Sequence, residues 1–126
     1  MDKLAVIQLV SARYAWGGME QYAKDLAQGL KERGHRLFFA TRKVDFIIDS
    51  YREAGEVHTF PIRNAVDPQT IFGLAGLIRR EKVDIVHTHT SRDAWMAVFA
   101  ALAAGRGRVV TTRHVPLAAK NDFVHR

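Results

Sequence analysis

Residues suited to binding anions follow three of the apolar runs in this sequence. Gly17 and Gly18 follow the first run, the stretch from His89 to Arg92 follows a later one, and Arg113-His114 follows the last. Glycine lets a backbone approach a ligand closely, and a helix that begins there presents free N–H groups and the positive end of its dipole. Imidazole, hydroxyl and guanidinium groups add hydrogen-bond donors. This combination suits a phosphate-bearing ligand. The leading candidates are Arg13, Gly17, Gly18, His89, Thr90, Ser91, Arg92, Arg113 and His114.

The glycine pair admits two interpretations. It either gives the turn between a strand and a helix the backbone angles that it needs, or it lets the backbone come close to a ligand. The surrounding stretch, AWGGMEQ, matches neither G-x-G-x-x-G nor a P-loop. It therefore predicts neither a dinucleotide site nor a Walker-type site.

Histidines and aromatic residues near these runs leave alternatives open. His87 and His89 are two residues apart on one strand and face the same way, but neither a cysteine nor a carboxylate set completes a metal site, so we expect no metal. We expect one of the two histidines to pack and the other to reach the site. His114 is a candidate base, phosphate donor or backbone-positioning residue, or else a partly exposed histidine at the end of a strand. Trp16 either stacks on a sugar or base or forms a hydrophobic staple.

Composition limits the class of protein. The chain has 126 residues, 48% of them hydrophobic and 25% charged, which is ordinary for one globular domain. It has no cysteine and a formal net charge of +6. The basic residues are scattered, which disfavours a nucleic-acid surface. The apolar stretch from Ala94 to Ala104 is too short to span a bilayer, and no signal peptide precedes the first strand, so we expect a cytoplasmic protein.

Hydrophobic periodicity predicts alternating strands and helices. Apolar, β-rich runs predict strands at 4–10, 36–41, 57–62, 83–89 and 108–112. Helical spacing predicts helices from 19, with Tyr22 on the buried stripe and Gly34 after the end, and at 44–54, 68–81 and 91–104. Asp67 and Ser91 are the expected N-caps. The last helix is apolar almost all round, so we expect it to be deeply buried.

This alternation predicts an α/β fold: a Rossmann-like, doubly wound parallel sheet of five strands in the order 3-2-1-4-5. Ligands bind such sheets at the carboxyl ends of the strands, where the strand order reverses. The loops 11–18, 89–93 and 113–115 converge there in the predicted order.

Three stretches resemble a known family. They are GGMEQYAKDLAQGLKERGHRLFFAT, VDIVHTHTSRDAWMA and RVVTTRH, which together span nearly the whole chain. They resemble the N-terminal domain of a two-domain, B-type-fold retaining glycosyltransferase similar to glycosyltransferase family 4.

The resemblance implies roles for particular residues. In that family the glycine-rich loop lies beside the donor diphosphate and shapes the acceptor site, a role that carries over to Gly17 and Gly18. A histidine in the position of His114 lies near the transferred sugar and is the expected catalytic residue. Arg113 departs from the family pattern, and we expect it to donate to a phosphate or carboxylate. The resemblance also points to His89 and its neighbours Thr90 and Ser91 as substrate-binding residues. Arg13 is expected to bind substrate because it lies in the loop after the first strand.

The resemblance also implies a domain organisation. Residues 1–115 correspond to the acceptor-side domain, residues 116–126 to a terminal extension, and the C-terminal donor-binding domain is absent, so we expect the 126-residue chain alone to be inactive. The expected activity is hexosyl transfer from a nucleotide-diphosphate sugar to a glycan or lipid acceptor in cell-envelope polysaccharide or glycolipid synthesis. It would need no cofactor or metal, and peripheral association with the inner face of the plasma membrane would fit a lipid acceptor.

Other classes of function fit the residues less well. A stand-alone flavodoxin-like module that binds a nucleotide or phosphate, or regulates a partner, shares the predicted fold. A response regulator would carry acidic residues where Ser11 and Ile62 stand, and SARYAWGG is a poor flavin phosphate loop. An oxidoreductase lacks its dinucleotide fingerprint here.

Overall fold

The computed structural model describes residues 3–13, 16–64 and 66–112. Strands and helices alternate along them in the order β1 (Ala5–Val10), α1 (Gly18–Glu32), β2 (Arg36–Thr41), α2 (Asp45–Tyr51), β3 (Glu56–Thr59), α3 (Pro68–Arg80), β4 (Ile85–Thr88), α4 (Ser91–Ala104) and β5 (Arg108–Thr111). All the strand pairs are parallel, and the sheet order is β3-β2-β1-β4-β5. The predicted fold class and strand order are confirmed.

The sheet is covered on both faces because β1 and β2 are apolar at nearly every position. Alternate side chains of a strand point to opposite faces. Ala5, Ile7 and Leu9 pack in the first hydrophobic cluster, which includes α3 and α4. Val6 and Val10 pack in the second hydrophobic cluster, which includes α1 and α2. Because β1 is covered on both faces, nearly all of its residues are apolar.

Helix ends follow the local signals in the sequence. Asp67 Oδ1 accepts a hydrogen bond from the Gln69 amide at 3.2 Å, with Pro68 at the first position of α3, as predicted. Gly34, just after α1, has a φ of 94°, and Gly105, at the end of α4, has a φ of 76°. Both are left-handed conformations in which a side chain is disfavoured, so these glycines end their helices.

The third strand is shorter than predicted. It ends at Thr59 rather than at residue 62. The Phe60 amide still donates to the Thr41 carbonyl oxygen at 2.8 Å, but Pro61 has no N–H, and Ile62 takes a positive φ of 44°. The chain therefore leaves the sheet at Pro61, and the Ile62 amide donates to the hydroxyl of Thr70 instead.

Two burial predictions are wrong. Tyr22 was expected on the buried stripe of α1, but the residue is 42% exposed because it faces β4 and β5 beyond the edge of the second cluster. The fourth helix was expected to be deeply buried, but Trp95, Phe99 and Leu102 are exposed on it. Its buried alanines and Met96 pack on the sheet, while these three large side chains point away. None of the helices in the described residues is long and apolar enough to span a membrane.

Candidate functional site

The carboxyl ends of β1 and β4 lie side by side. The two strands pair directly, with Gln8 opposite His87, so the segments that follow them leave the same edge of the sheet. Helix α1 begins after β1 at Gly18, and helix α4 begins after β4 at Ser91. Two helix N-termini therefore lie at the point where the strand order reverses, which is where ligands bind in this type of sheet. We call this place the crevice.

The glycine pair at the start of α1 is not required by backbone angles. Gly17 has a φ of −126°, which is ordinary extended backbone, and neither glycine has a positive φ. No side chain among the described residues caps this helix, although the Gly17 amide donates to Glu20 Oε1 at 2.7 Å. A Cβ on Gly18 would meet no heavy atom within 4 Å. The backbone at Gly18 is therefore open, which favours the close-approach interpretation.

The start of α4 is capped by Thr90 and not by Ser91. The Asp93 amide donates to Thr90 Oγ1 at 3.1 Å, and Ser91 is the first helical residue. The expected cap was wrong by one residue. The correction leaves the Ser91 side chain exposed at the crevice beside the exposed Arg92.

Ser11 joins the two sides of the crevice. Its hydroxyl donates to Asp93 Oδ2 at 2.9 Å and accepts from Arg92 Nη2 at 3.3 Å. Its carbonyl oxygen accepts from Arg42 Nε at 2.9 Å. We call these four residues the Ser11 junction. It connects the ends of β1 and β2 to the first turn of α4.

The Ser11 junction places charged groups away from water. Asp93 is 1% exposed and Arg42 is 7% exposed. Burial raises the pKa of Asp93, although the hydrogen bond from Ser11 and the charges of Arg92 and Arg42 favour its ionised form. Asp93 Oδ1 is buried and has no hydrogen-bond partner among residues 3–13, 16–64 and 66–112. The carboxyl group is thus held by one of its oxygens only.

His87 in β4 and His89 just after β4 are both buried. One of the two was expected to reach the crevice. His87 is 5% exposed and His89 is 3% exposed, with their ring centroids 4.4 Å apart. His89 Nε2 lies 2.9 Å from Gln8 Oε1, and His87 Nε2 lies 2.7 Å from Thr112 Oγ1. Gln8, in the central strand β1, is fully buried, and its Oε1 is the partner of the His89 ring nitrogen. The proposed contact of His89 with a substrate stays a prediction.

A groove of about 300 Å³ lies on the α1 face of β4 and β5. His87, Gln8 and Thr112 form its polar end, and Leu26 and Val110 are among its apolar side chains. Among the described residues, no three histidine, aspartate or glutamate side chains come close enough to hold a metal ion.

The remaining predicted residues are either exposed, packed against a hydrophobic cluster, or outside the described residues. Arg13 is exposed after β1. Trp16 packs against the second hydrophobic cluster, with its ring centroid 5.1 Å from that of Tyr51, and its Nε1 donates to Gln21 Oε1 at 2.9 Å. The indole therefore packs on α2 and bonds to Gln21 at the fourth helical position, rather than forming the predicted apolar staple with α1. Arg113 and His114 lie outside the described residues, so their roles stay predictions.

Sequence reasoning missed Asp93 and Arg42. Asp93 stands three residues after Thr90, the spacing of a capping box, and this pattern would have indicated Thr90 as the cap. Nothing local indicates the contact between Ser11 and Asp93, because 82 residues separate them.

The fold defines a doubly wound α/β domain with a crevice at the switch point of the sheet. The family model of Glycosyltransferase Family 4 matches residues 16–126. The chain belongs to this family, as its resemblance to the N-terminal domain of such enzymes implied. No curated protein matches the sequence.

Solved structures share the fold. A crystal structure of a glycosyltransferase from Rickettsia africae ESF-5 matches 98% of this chain with a TM-score of 0.69 and 24% sequence identity. The match covers 34% of that protein's chain, so this chain spans about a third of its length. At this identity the likeness establishes the fold alone.

Proposed function

We propose that the chain is the acceptor-side domain of a glycosyltransferase that transfers a hexosyl group from a nucleotide-diphosphate sugar to a glycan or lipid acceptor. The observation that carries the proposal is the open backbone of Gly18 at the crevice of a chain that belongs to glycosyltransferase family 4. The donor diphosphate would lie against this backbone.

The start of α1 suits a diphosphate for two physical reasons. The first N–H groups of a helix have no partner within it, and here no side chain among the described residues caps them. The helix dipole adds partial positive charge at the same place. Because Gly18 lacks a side chain, phosphate oxygens can approach the N–H groups of the first helical turn closely. The Gly17 amide is already bonded to Glu20 Oε1.

The opposite wall of the crevice would bind the remaining groups. Ser91 and Arg92 are exposed at the start of α4 and can donate hydrogen bonds to hydroxyl or phosphate oxygens. By the family resemblance, His114 would lie beside the transferred sugar and act in catalysis, with Arg113 as a further donor. A leaving diphosphate carries negative charge, so fixed donors at both helix N-termini would stabilise the transition state.

We further propose that a second domain supplies the nucleotide site. The chain spans about a third of the solved relative. Transfer requires that donor and acceptor be held together in a cleft that excludes water, and the crevice forms one wall of such a cleft. The 126 residues alone would then not transfer sugar.

The net charge of +6 fits an anionic donor and a peripheral position at the inner face of the plasma membrane, where a lipid acceptor of the cell envelope is accessible.

Calorimetric titration of UDP, GDP and ADP into this chain and into the full-length gene product tests the proposal. We expect one nucleotide to bind tightly to the full-length protein and weakly to the chain. Absence of binding to both proteins would contradict a nucleotide-sugar donor. Tight binding to the 126-residue chain would instead favour the second candidate, a stand-alone flavodoxin-like module with a complete phosphate site.

A further inference from the structure

The Ser11 junction unites three segments that are distant in the sequence. Ser11 follows β1, Arg42 follows β2, and Arg92 and Asp93 lie in the first turn of α4. The contacts of Ser11 with Arg42 and Asp93 span 31 and 82 residues respectively. Ser11 therefore connects the start of the loop before α1 to the segment after β2 and to the first turn of α4.

Burying this polar cluster is costly, so its presence needs a reason. Ionised groups removed from water are tolerated when they are paired, and apolar side chains of similar volume often stabilise a fold equally well. The rest of the α4 surface against the sheet is alanine and methionine, which shows that apolar residues serve elsewhere along this contact. The polar cluster is placed at the end of α4 that borders the crevice.

Asp93 is the residue on which this arrangement depends. Its Oδ2 accepts the hydrogen bond of the Ser11 hydroxyl, and its backbone N–H is the group that Thr90 caps. It is also the carboxyl group placed beside the guanidinium groups of Arg42 and Arg92. Without it, the Ser11 hydroxyl would lose its acceptor, and two like charges would remain near each other.

We propose that Asp93 is a positioning residue for the crevice, which fixes the loop between β1 and α1 through Ser11 and holds Arg92 beside it. Asp93 touches no substrate in this role. It keeps the glycine backbone on one side and the start of α4 on the other at the separation that a ligand needs. This inference rests on the proposed function for its effect on turnover, and on the fold alone for its effect on the loop.

Hydrogen–deuterium exchange tests the positioning role without any ligand. In this chain, Asp93→Ala and Ser11→Ala should both accelerate exchange of the hydrogen-bonded amides of Gly17 and Gln21 by about tenfold or more, because the loop loses its connection to α4. Exchange in α2 and β3 should stay unchanged. Asp93→Asn keeps an oxygen that can accept from Ser11, and it should restore slow exchange. Asp45→Asn is the matched control, since Asp45 lies in the first turn of α2 and is exposed.

Turnover of the donor by the full-length protein is the second readout. A misplaced binding group lowers catalytic efficiency strongly, so kcat/KM should fall about 10- to 100-fold in Asp93→Ala and Ser11→Ala. It should recover in Asp93→Asn and stay unchanged in Asp45→Asn.

Two results would overturn the positioning role. One is exchange that is unchanged at the Gly17 and Gln21 amides, or accelerated evenly across both hydrophobic clusters, since the Ser11 junction would then serve overall stability. The other is an unchanged kcat/KM in an active protein. If Asp93→Ala does not fold, Ser11→Ala decides by the same criteria. A wild-type protein that neither binds nor turns over a nucleotide sugar contradicts the proposed function, and the exchange result still decides the role of Asp93.

Discussion

Two buried carboxyl groups at helix N-termini have pKa values that shift in opposite directions. Asp67 accepts hydrogen bonds from the Arg63 and Gln69 amides and from Thr70, and the bond from the Arg63 amide is the main cause of its lowered pKa. Asp93 accepts from Ser11 with one oxygen, and burial raises its pKa. The number of donors that meet each carboxylate decides the direction.

These shifts predict opposite effects of pH on the stability of two variants. Asp67 binds fewer protons when folded, so it stabilises the fold above a pH of about 4 and less as the pH falls through its lowered pKa. Asp93 binds more protons when folded, so its ionisation costs stability as the pH rises above about 4. From about pH 3 to about pH 7, the deficit in Tm of Asp67→Asn should therefore grow, and that of Asp93→Asn should shrink. Thermal unfolding followed by circular dichroism measures both, and parallel curves would contradict the assigned shifts.

Substitution of Gly18 by alanine should affect binding much more than stability. A Cβ at this position has open space around it, so Gly18→Ala should change the free energy of unfolding by less than about 0.5 kcal/mol. If phosphates lie against this backbone, the same methyl group should weaken nucleotide binding to the full-length protein about tenfold. Calorimetry measures the binding, with Gly29→Ala on the same helix as the control. Equal affinities would remove Gly18 from the site.

Residues of the site were predictable where a nearby sequence pattern, such as the end of an apolar run, indicates them. The glycine pair and the threonine and serine after β4 follow apolar runs, and the structure places them at the two helix N-termini. The partners of Ser11 were not predictable, because a side-chain contact across 82 residues leaves no periodic trace. The enclosure of His89 depends on Gln8, a polar residue in an otherwise apolar strand, and periodicity does not identify which side chain it meets.

At the scale of elements, two glycines outside the crevice have different surroundings. Gly55 follows α2, and a Cβ there would lie 2.7 Å from the Leu37 carbonyl oxygen, which belongs to the backbone of β2 and cannot move aside. Gly29 lies within α1, and a Cβ there would meet no heavy atom within 4 Å. Gly55 lets the turn between α2 and β3 pass close to β2, whereas no described atom requires a glycine at Gly29.

Alanine substitution should therefore have opposite effects at these positions. Gly55→Ala should lower the free energy of unfolding by about 1–3 kcal/mol, because it overpacks the contact with β2. Gly29→Ala should raise it by about 0.5–1 kcal/mol, because alanine loses less backbone entropy in a helix. Urea unfolding of both variants measures the difference. A stable Gly55→Ala would mean that α2 can move away from β2 at little cost.

Element type and order were predictable, whereas the contacts of particular faces were not. Each strand and helix has its own run of apolar residues, and the parallel order follows from their alternation. The exposure of Tyr22 and of the large side chains of α4 depends on which other elements cover them, and no local pattern contains that information. Hydrophobic spacing predicts that a face is apolar, but tertiary structure decides whether it is covered.

At the scale of the whole molecule, the sheet connects two hydrophobic clusters. Ile7 and Phe38 face the first cluster, and Val6 and Phe39 face the second, so β1 and β2 contribute to both. A loss of packing on one face must then be transmitted to the other through the same strands. A domain of this size and connectivity is expected to unfold in one cooperative step.

The two tryptophans make this coupling measurable. Trp16 packs on Tyr51 in the second cluster, and Trp95 lies on α4 beside Phe99. In the single-tryptophan variants Trp95→Phe and Trp16→Phe, fluorescence during urea unfolding should give coincident midpoints. Leu74→Ala leaves a cavity in the first cluster and should lower the free energy of unfolding by about 2–5 kcal/mol. Because the strands are shared, the midpoint reported by Trp16 on the opposite face should fall as far as that reported by Trp95. A shift confined to Trp95 would mean that the α3–α4 face unfolds separately from the rest of the domain.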